Sequence, residues 1–122
     1  MKLTKANARK ILNSDASWTI EVELTSENNH SAKFSVPGGL SKGGREAVSI
    51  SADNAIEIIE DIKNDLLDKE FKNQRAFDAF LLEQDGTEDK SELGSNTMLG
   101  LSGAFCKLSA KEKNLELFEH LH

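Results

Sequence analysis

A glycine-rich loop is the segment of this sequence with the most potential for chemistry. Four glycines fall within the seven residues from Gly38 to Gly44, beside Ser41, Lys42 and Arg45. The backbone amides of such a loop can fold over an anion, and a serine hydroxyl can be presented to a metal ion. The glycine spacing does not match a Walker A phosphate loop. Two interpretations stay open on the residues alone: a flexible connection between secondary-structure elements, which is the commoner role, and small-anion binding.

The other residues with chemical potential do not form a recognisable active site. An acidic run follows the loop, but helical spacing spreads its side chains around a solvated face, as at Glu57, Glu60, Asp61, Asn64 and Asp65. His30 falls in a predicted turn, and the spacing of two between His120 and His122 does not place both on one helical face. Cys106 is the only cysteine, which excludes an intrachain disulfide, and we predict that it is a small packing residue beside the core.

The composition is typical of one folded domain. The 122 residues are 38% hydrophobic and 30% charged, and the net charge is −6. A chain of this size can bury a substantial core, whereas the acidic balance argues against nucleic acid or an anionic membrane as a partner. No stretch is long enough for a signal peptide or a membrane span. We therefore predict a soluble, cytoplasmic protein with residues 1–122 in a single domain.

Strand periodicity dominates the first third of the chain. Residues 18–25 alternate between apolar and polar types, with the apolar positions at Trp18, Ile20, Val22 and Leu24. The polar run 27–30 predicts a tight turn, and the following strand should end at Pro37. Residues 3–12 are assigned to a third strand. The pattern predicts an antiparallel sheet of three strands with one face exposed to water.

Helical periodicity replaces the strand pattern after the loop. Asp53 is the predicted cap of a first helix, whose apolar face comprises Ala55, Ile59, Ile62 and Leu66. A second helix carries Ala76, Phe77, Phe80 and Leu81 and should end near Gln84. A third runs from Ser95 to about Lys113 with Met98, Leu101, Phe105 and Leu108 on its apolar stripe. A short terminal helix carrying Leu117, Phe118 and Leu121 is expected to close the core.

The glycines of the third predicted helix indicate its place in the fold. Gly100 and Gly103 are costly in an exposed helix, by about 1 kcal/mol each against alanine. They are favourable where a neighbouring element approaches the helix backbone closely, so we predict that this helix is central. Strands followed by helices predict an α+β fold: a three-stranded antiparallel meander followed by three to four helices.

Several segments, in order along almost the whole chain, together resemble the N-terminal domain of enolase, the phosphopyruvate hydratase of glycolysis. The strongest match is residues 85–100, DGTEDKSELGSNTMLG, which is similar to the family motif that precedes a helix rich in small residues. Residues 19–24 (TIEVEL), 36–43 (VPGGLSKG) and 117–121 (LFEHL) are similar to further family segments. The resemblance implies the same meander followed by helices.

The resemblance also implies a role for the glycine-rich loop. In enolases the corresponding loop is a substrate lid, which here comprises Gly39, Leu40, Ser41, Lys42 and Gly43. The serine matching Ser41 helps to bind a second magnesium ion, and a hydroxyl is a reasonable ligand for Mg²⁺. The remaining magnesium ligands and the catalytic acid and base of the family belong to a following barrel domain. We therefore expect no catalytic residue, no cofactor and no enolase activity in this chain alone, and Mg²⁺ only if a barrel completes it.

Two functional hypotheses follow from the resemblance. The first is a stand-alone, non-catalytic domain that acts as a protein-interaction or regulatory module, with itself (as a homodimer) or a full-length enolase as partner. The second is the capping and lid domain of a divergent phosphopyruvate hydratase whose barrel is supplied separately. The retained Ser41, Gly43 and Glu46 favour the second hypothesis. The altered lid, with Lys42 beside Ser41, and the shortened connection near 49–53 favour the first.

Overall fold

A computed structural model describes residues 1–37, 50–86 and 93–113. The elements are, in chain order, β1 (Leu3–Leu12), β2 (Trp18–Ser26), β3 (Ser31–Ser35), α1 (Ala52–Leu67), α2 (Gln74–Asp85) and α3 (Ser95–Glu112). The α+β prediction is confirmed, with a three-stranded sheet followed by three helices in the described residues. The predicted terminal helix lies outside them.

The sheet is the predicted antiparallel meander, with strand order β1-β2-β3. Ala6 lies opposite Leu24 in the first pairing, and Val22 lies opposite Phe34 in the second. Asn29 adopts a left-handed backbone with φ of 67° in the turn between β2 and β3, as asparagine does readily. The predicted turn at residues 27–30 is therefore confirmed.

The two faces of the sheet differ in chemistry. Ile20, Val22 and Leu24 are fully buried on the face that the helices cover. On the other face, Arg9 Nε donates to Glu21 Oε1 at 2.8 Å across the β1–β2 pair. This hydrogen bond, together with the positive charge, holds the pKa of Glu21 below its usual range. The outer face thus carries polar and charged side chains, whereas the inner face is stabilised by apolar burial.

Trp18 does not share the burial of the other apolar positions of β2. Its side chain is 60% exposed, so the prediction that it belongs to the buried set is wrong. The period is nevertheless correct, because Trp18 pairs with Leu12 and Ile20 with Lys10, which places all four on the same face. Trp18 and Leu12 occupy the end of that face, beyond the part that the helices cover.

Helix α1 begins two residues earlier than its predicted cap requires. Ser51 is the N-cap, and its hydroxyl accepts a hydrogen bond from the Asn54 amide, whereas Asp53 lies in the first turn. The predicted apolar face is confirmed, because Ala55, Ile59, Ile62 and Leu66 are all buried. The acidic residues of the helix are exposed, as expected for a solvated face.

Helix α3 is the central helix and packs against β2 and β3. A Cβ atom added at Gly100 would lie 2.8 Å from Val22 Cγ2, and one added at Gly103 would lie 2.6 Å from Phe34 Cγ. No ordinary side chain fits such distances, so these glycines set the close approach of the helix to the sheet. The prediction of a central, closely approached helix is confirmed.

Phenylalanine rings join α2 to α3. Phe77 and Phe105 are stacked with centroids 4.2 Å apart, and Phe71 meets Phe77 edge to face at 4.9 Å. Cys106 follows Phe105 but is exposed, so the prediction that it packs beside the core is wrong. Successive helical residues are rotated by about 100°, and this step turns Cys106 away from the stripe that contains Phe105.

Candidate functional site

The predicted lid residues Gly39, Leu40, Ser41, Lys42 and Gly43 lie outside the described residues. Their assignment as a substrate lid, and that of Ser41 as a magnesium ligand, stay predictions. The structure describes the two ends of the segment that contains them, at Val36 and Pro37 on one side and at Ile50 on the other.

The first end is attached to β2. Thr19 Oγ1 donates a hydrogen bond to the Val36 carbonyl oxygen at 2.8 Å, and the Val36 amide donates to the Ile20 carbonyl oxygen at 3.0 Å. The Val36 side chain is 2% exposed and lies against Gly100 of α3. These contacts fix the position of the backbone at Val36, immediately before Pro37.

The second end is held by a single side chain. Asn96 Oδ1 accepts from the Ile50 amide at 3.1 Å, and Asn96 Nδ2 donates to the Ile50 carbonyl oxygen at 2.9 Å. This pair of hydrogen bonds satisfies both backbone groups of Ile50, in the manner of a strand pairing. The Ile50 side chain packs against Gly94, whose φ of 91° is favourable for glycine.

Helix α3 therefore contacts both ends of segment 38–49, through Gly100 at Val36 and through Asn96 at Ile50. Sequence reasoning identified the small residues of this helix but missed the role of Asn96. An asparagine in the first turn of a helix commonly bonds nearby backbone, and this would have been the signal. Its distant partner, 46 residues away, could not be deduced from spacing.

The ends of a second segment, 87–92, also lie together. Asp85 is 3% exposed, and its Oδ2 accepts from the Leu93 amide at 2.7 Å. Gly86 ends α2 in a left-handed conformation with φ of 71°. Within the strongest family-like motif, Asp85 at the end of α2 thus holds Leu93, which lies just before the central helix.

No metal site is formed by the part of the chain that the structure describes. Within residues 1–37, 50–86 and 93–113, no group of three or more His, Cys, Asp or Glu side chains could hold a metal ion. His30 instead contacts the Glu112 carboxylate at the end of α3, and His120 and His122 lie outside the described residues.

One surface of the described residues is both apolar and exposed. The Leu12–Trp18 surface comprises this cross-strand pair, 57% and 60% exposed, together with Lys10 and Asp53. Lys10 Nζ lies 4.9 Å from the centroid of the Trp18 ring and 3.2 Å from Asp53 Oδ1 of α1. These contacts hold the indole in place while leaving most of its area open to solvent.

Comparison with known proteins identifies the family. Residues 3–121 match the model of the enolase N-terminal domain, and the chain belongs to this family. Enolase 1 of Chlorobaculum tepidum is 34% identical to it over 133 aligned positions. That alignment covers 99% of this chain and 31% of Enolase 1, so the chain spans about a third of the length of that relative. Among the described helices, none is both long and apolar enough to cross a membrane.

Proposed function

We propose that this domain acts by binding protein, as a non-catalytic interaction or regulatory module of the enolase family. The observation that carries the proposal is the exposed Leu12–Trp18 surface. A cross-strand pair of large apolar side chains, both more than half exposed, is unfavourable in water. Tryptophan is also the residue type most enriched among the energetic centres of protein interfaces.

Covering this surface would contribute favourably to association with a partner. Burial of apolar area contributes about 25 cal/mol per Å², so covering the open parts of Trp18 and Leu12 would contribute several kcal/mol. Lys10 and Asp53 supply a charged rim, which favours one orientation of a partner over others. The surface is therefore an apolar centre with a polar margin, as is usual for interfaces.

The partner we propose is an enolase chain, and a second copy of this chain is the alternative outcome. The proposal is supported by Enolase 1, in which the region similar to this chain is joined to more than twice its length of further protein. In the resembled family the N-terminal domain packs on a barrel, so a domain of this kind presents surfaces suited to enolase-type protein.

A second candidate function is that of the capping and lid domain of a divergent phosphopyruvate hydratase whose barrel is supplied separately. It is favoured by the way α3 holds both ends of segment 38–49, which would fix the base of a lid that carries Ser41. Magnesium would then be a cofactor of the completed enzyme. Under the first proposal, the chain alone has neither the cofactor nor the activity.

Light scattering after size-exclusion chromatography tests the proposal on the chain alone and on its mixture with a full-length enolase. A stable mixed complex that weakens for Trp18→Ala, but not for Leu82→Ala at another exposed leucine, supports protein binding at the Leu12–Trp18 surface. A monomer that never associates contradicts it.

An activity assay separates the two candidates. If the chain completes a barrel, mixing it with an enolase barrel lacking its own N-terminal domain should create phosphopyruvate hydratase activity, and Ser41→Ala should reduce that activity. If the chain is an interaction module, the mixture stays inactive and Ser41→Ala leaves complex formation unchanged. In that case Ser41→Ala, as a surface substitution, should also change the free energy of unfolding by no more than about 0.5 kcal/mol.

A further inference from the structure

Lys10 is a charged residue on the face of the sheet that is otherwise apolar. It lies opposite Ile20 in the β1–β2 pairing and therefore points to the same side of the sheet, the side that the helices cover. Every other position of this face within residues 6–12 and 18–24 carries an apolar side chain. A single lysine in such a row is unusual, and its contacts show what it does there.

The ammonium group of Lys10 contacts two other elements at once. Its Nζ lies 3.2 Å from Asp53 Oδ1 in the first turn of α1 and 4.9 Å from the centroid of the Trp18 ring in β2. A cation within about 6 Å of an aromatic centroid is attracted by the face of the ring. A carboxylate in the first turn of a helix is itself favourable. Lys10 therefore joins α1 to the indole, and its ammonium group covers one face of the ring.

The contact with Lys10 restricts the orientation of the Trp18 ring. Because Trp18 is 60% exposed, packing against the rest of the protein restrains only the smaller part of its side chain. A side chain that is free to rotate must be immobilised when a partner binds, which lowers the affinity by about two- to tenfold for each such side chain. A ring that is already held in the free protein avoids this cost.

A lysine at this position has a second available role. Strand β1 is at the edge of the sheet, and an inward-pointing charge on an edge strand discourages pairing with another sheet. That role requires only the charge of Lys10 and makes no use of Asp53 or Trp18. The two contacts of the ammonium group therefore favour a role that involves the indole.

We propose that Lys10 is a positioning residue of the Leu12–Trp18 surface. Held by Asp53, it fixes the Trp18 indole with one face covered, so that an enolase chain meets a ring already in its binding orientation and reaches it from the other face. Lys10 thus acts on the partner through Trp18. The identity of the partner rests on the proposed function, whereas the positioning rests on the contacts among Lys10, Asp53 and Trp18.

The order of the indole in the free chain is the first measurement. Nitrogen-15 relaxation of the Trp18 Nε1–H group gives an order parameter, and its signal is unambiguous because Trp18 is the only tryptophan. Lys10→Met keeps a long side chain without the charge and should lower the order parameter, whereas Lys10→Arg keeps a cation and should preserve it. Lys5→Met, on the exposed opposite face of β1, is the matched control and should have no effect. An unchanged order parameter in Lys10→Met would overturn the proposal.

Affinity for full-length enolase is the second measurement. Lys10→Met should bind about two- to tenfold more weakly than the natural chain, and Lys10→Arg should bind equally well. Asp53→Asn removes the ion pair that holds Lys10 and should change both measurements in the direction of Lys10→Met. Equal affinities of Lys10→Met and the natural chain would overturn the proposal, because edge protection alone leaves binding unchanged. If the natural chain does not bind enolase while Lys10→Met still lowers the indole order, the proposed function fails and the positioning stands.

Discussion

The ring of Phe34 in β3 lies directly against Gly103 in α3. A Cβ atom at Gly103 would meet the ring carbons Cγ, Cδ1 and Cδ2 of Phe34 at 2.6–2.7 Å, so the ring and the bare helix backbone are matched in shape. The contact fixes both the distance of α3 from the sheet and its position along β3. It joins the two halves of the chain, because the sheet precedes the glycine-rich loop and the helices follow it.

Gly103→Ala should reveal this contact through a balance of two effects. Alanine favours a helix over glycine by about 1 kcal/mol, but overpacking of a core costs about 1–3 kcal/mol. We expect a net decrease in the free energy of unfolding, measured by chemical denaturation. In a Phe34→Ala background the overlap is removed, and the same substitution should stabilise the protein. A destabilisation of equal size in both backgrounds would contradict the account.

Phe105→Ala tests the aromatic contact between α2 and α3. Phe105 is 1% exposed and stacks on Phe77, so its truncation should reduce the free energy of unfolding by about 3–5 kcal/mol. The neighbouring Cys106→Ala is the control, and because Cys106 is exposed its effect should stay within about 0.5 kcal/mol. Similar decreases in the free energy of unfolding for both variants would contradict the assignment of a buried and an exposed face to α3.

Asn96→Ala tests the attachment of Ile50 to α3. The substitution removes both partners of the Ile50 backbone groups, which should cost about 1–3 kcal/mol of unfolding free energy. Asn64→Ala, at an exposed position in the last turn of α1, is the matched control. The hydrogen exchange of the Ile50 amide should also accelerate in Asn96→Ala. If the two variants behave alike, Asn96 does not anchor this segment.

Glu112 predicts a specific dependence of stability on pH. Burial alone would raise the pKa of its carboxyl, but hydrogen bonds from His30, Ser26 and Asn28 outweigh burial and hold the pKa below its usual range. A lowered pKa in the folded state gives stabilisation that is complete above the ordinary glutamate value, about 4.3, and is lost as the pH falls through the folded value.

The variant Glu112→Gln should therefore be less stable than the natural chain at pH 6, and the difference should shrink as the pH is lowered towards 3. Thermal unfolding across this range measures the effect, with Glu57→Gln on the exposed face of α1 as control. A difference that stays constant with pH would show that the Glu112 charge contributes nothing at the turn.

The strands and helices of this fold are predictable because the spacing of apolar residues within each segment determines which of its faces is buried. Alternation in β2 and the three- and four-residue spacing in α1 identify the buried faces correctly, and Gly100 and Gly103 identify the central helix. The exposure of Trp18 is not predictable in this way, because the sequence pattern gives the face but not how far the helices extend over it.

Contacts between residues that are far apart in the sequence cannot be predicted from the spacing of residue types. Asn96 and Ile50 are 46 residues apart, and their contact depends on how α3 lies relative to the end of the glycine-rich segment. The helix cap at Ser51 was missed for a local reason, since Ser51 and Asp53 are both good cap residues and only backbone geometry selects between them. The predicted lid residues, among them Ser41, stay predictions.

The central claim is that the Leu12–Trp18 surface binds an enolase chain, and Trp18 reports on it directly because it is the only tryptophan of this chain. Fluorotryptophan incorporated at Trp18 gives one fluorine NMR signal, which is followed while unlabelled full-length enolase is added. We predict a saturable shift or broadening of this signal that is absent with serum albumin. A signal that stays unchanged in position and width up to a large excess of enolase would contradict the claim.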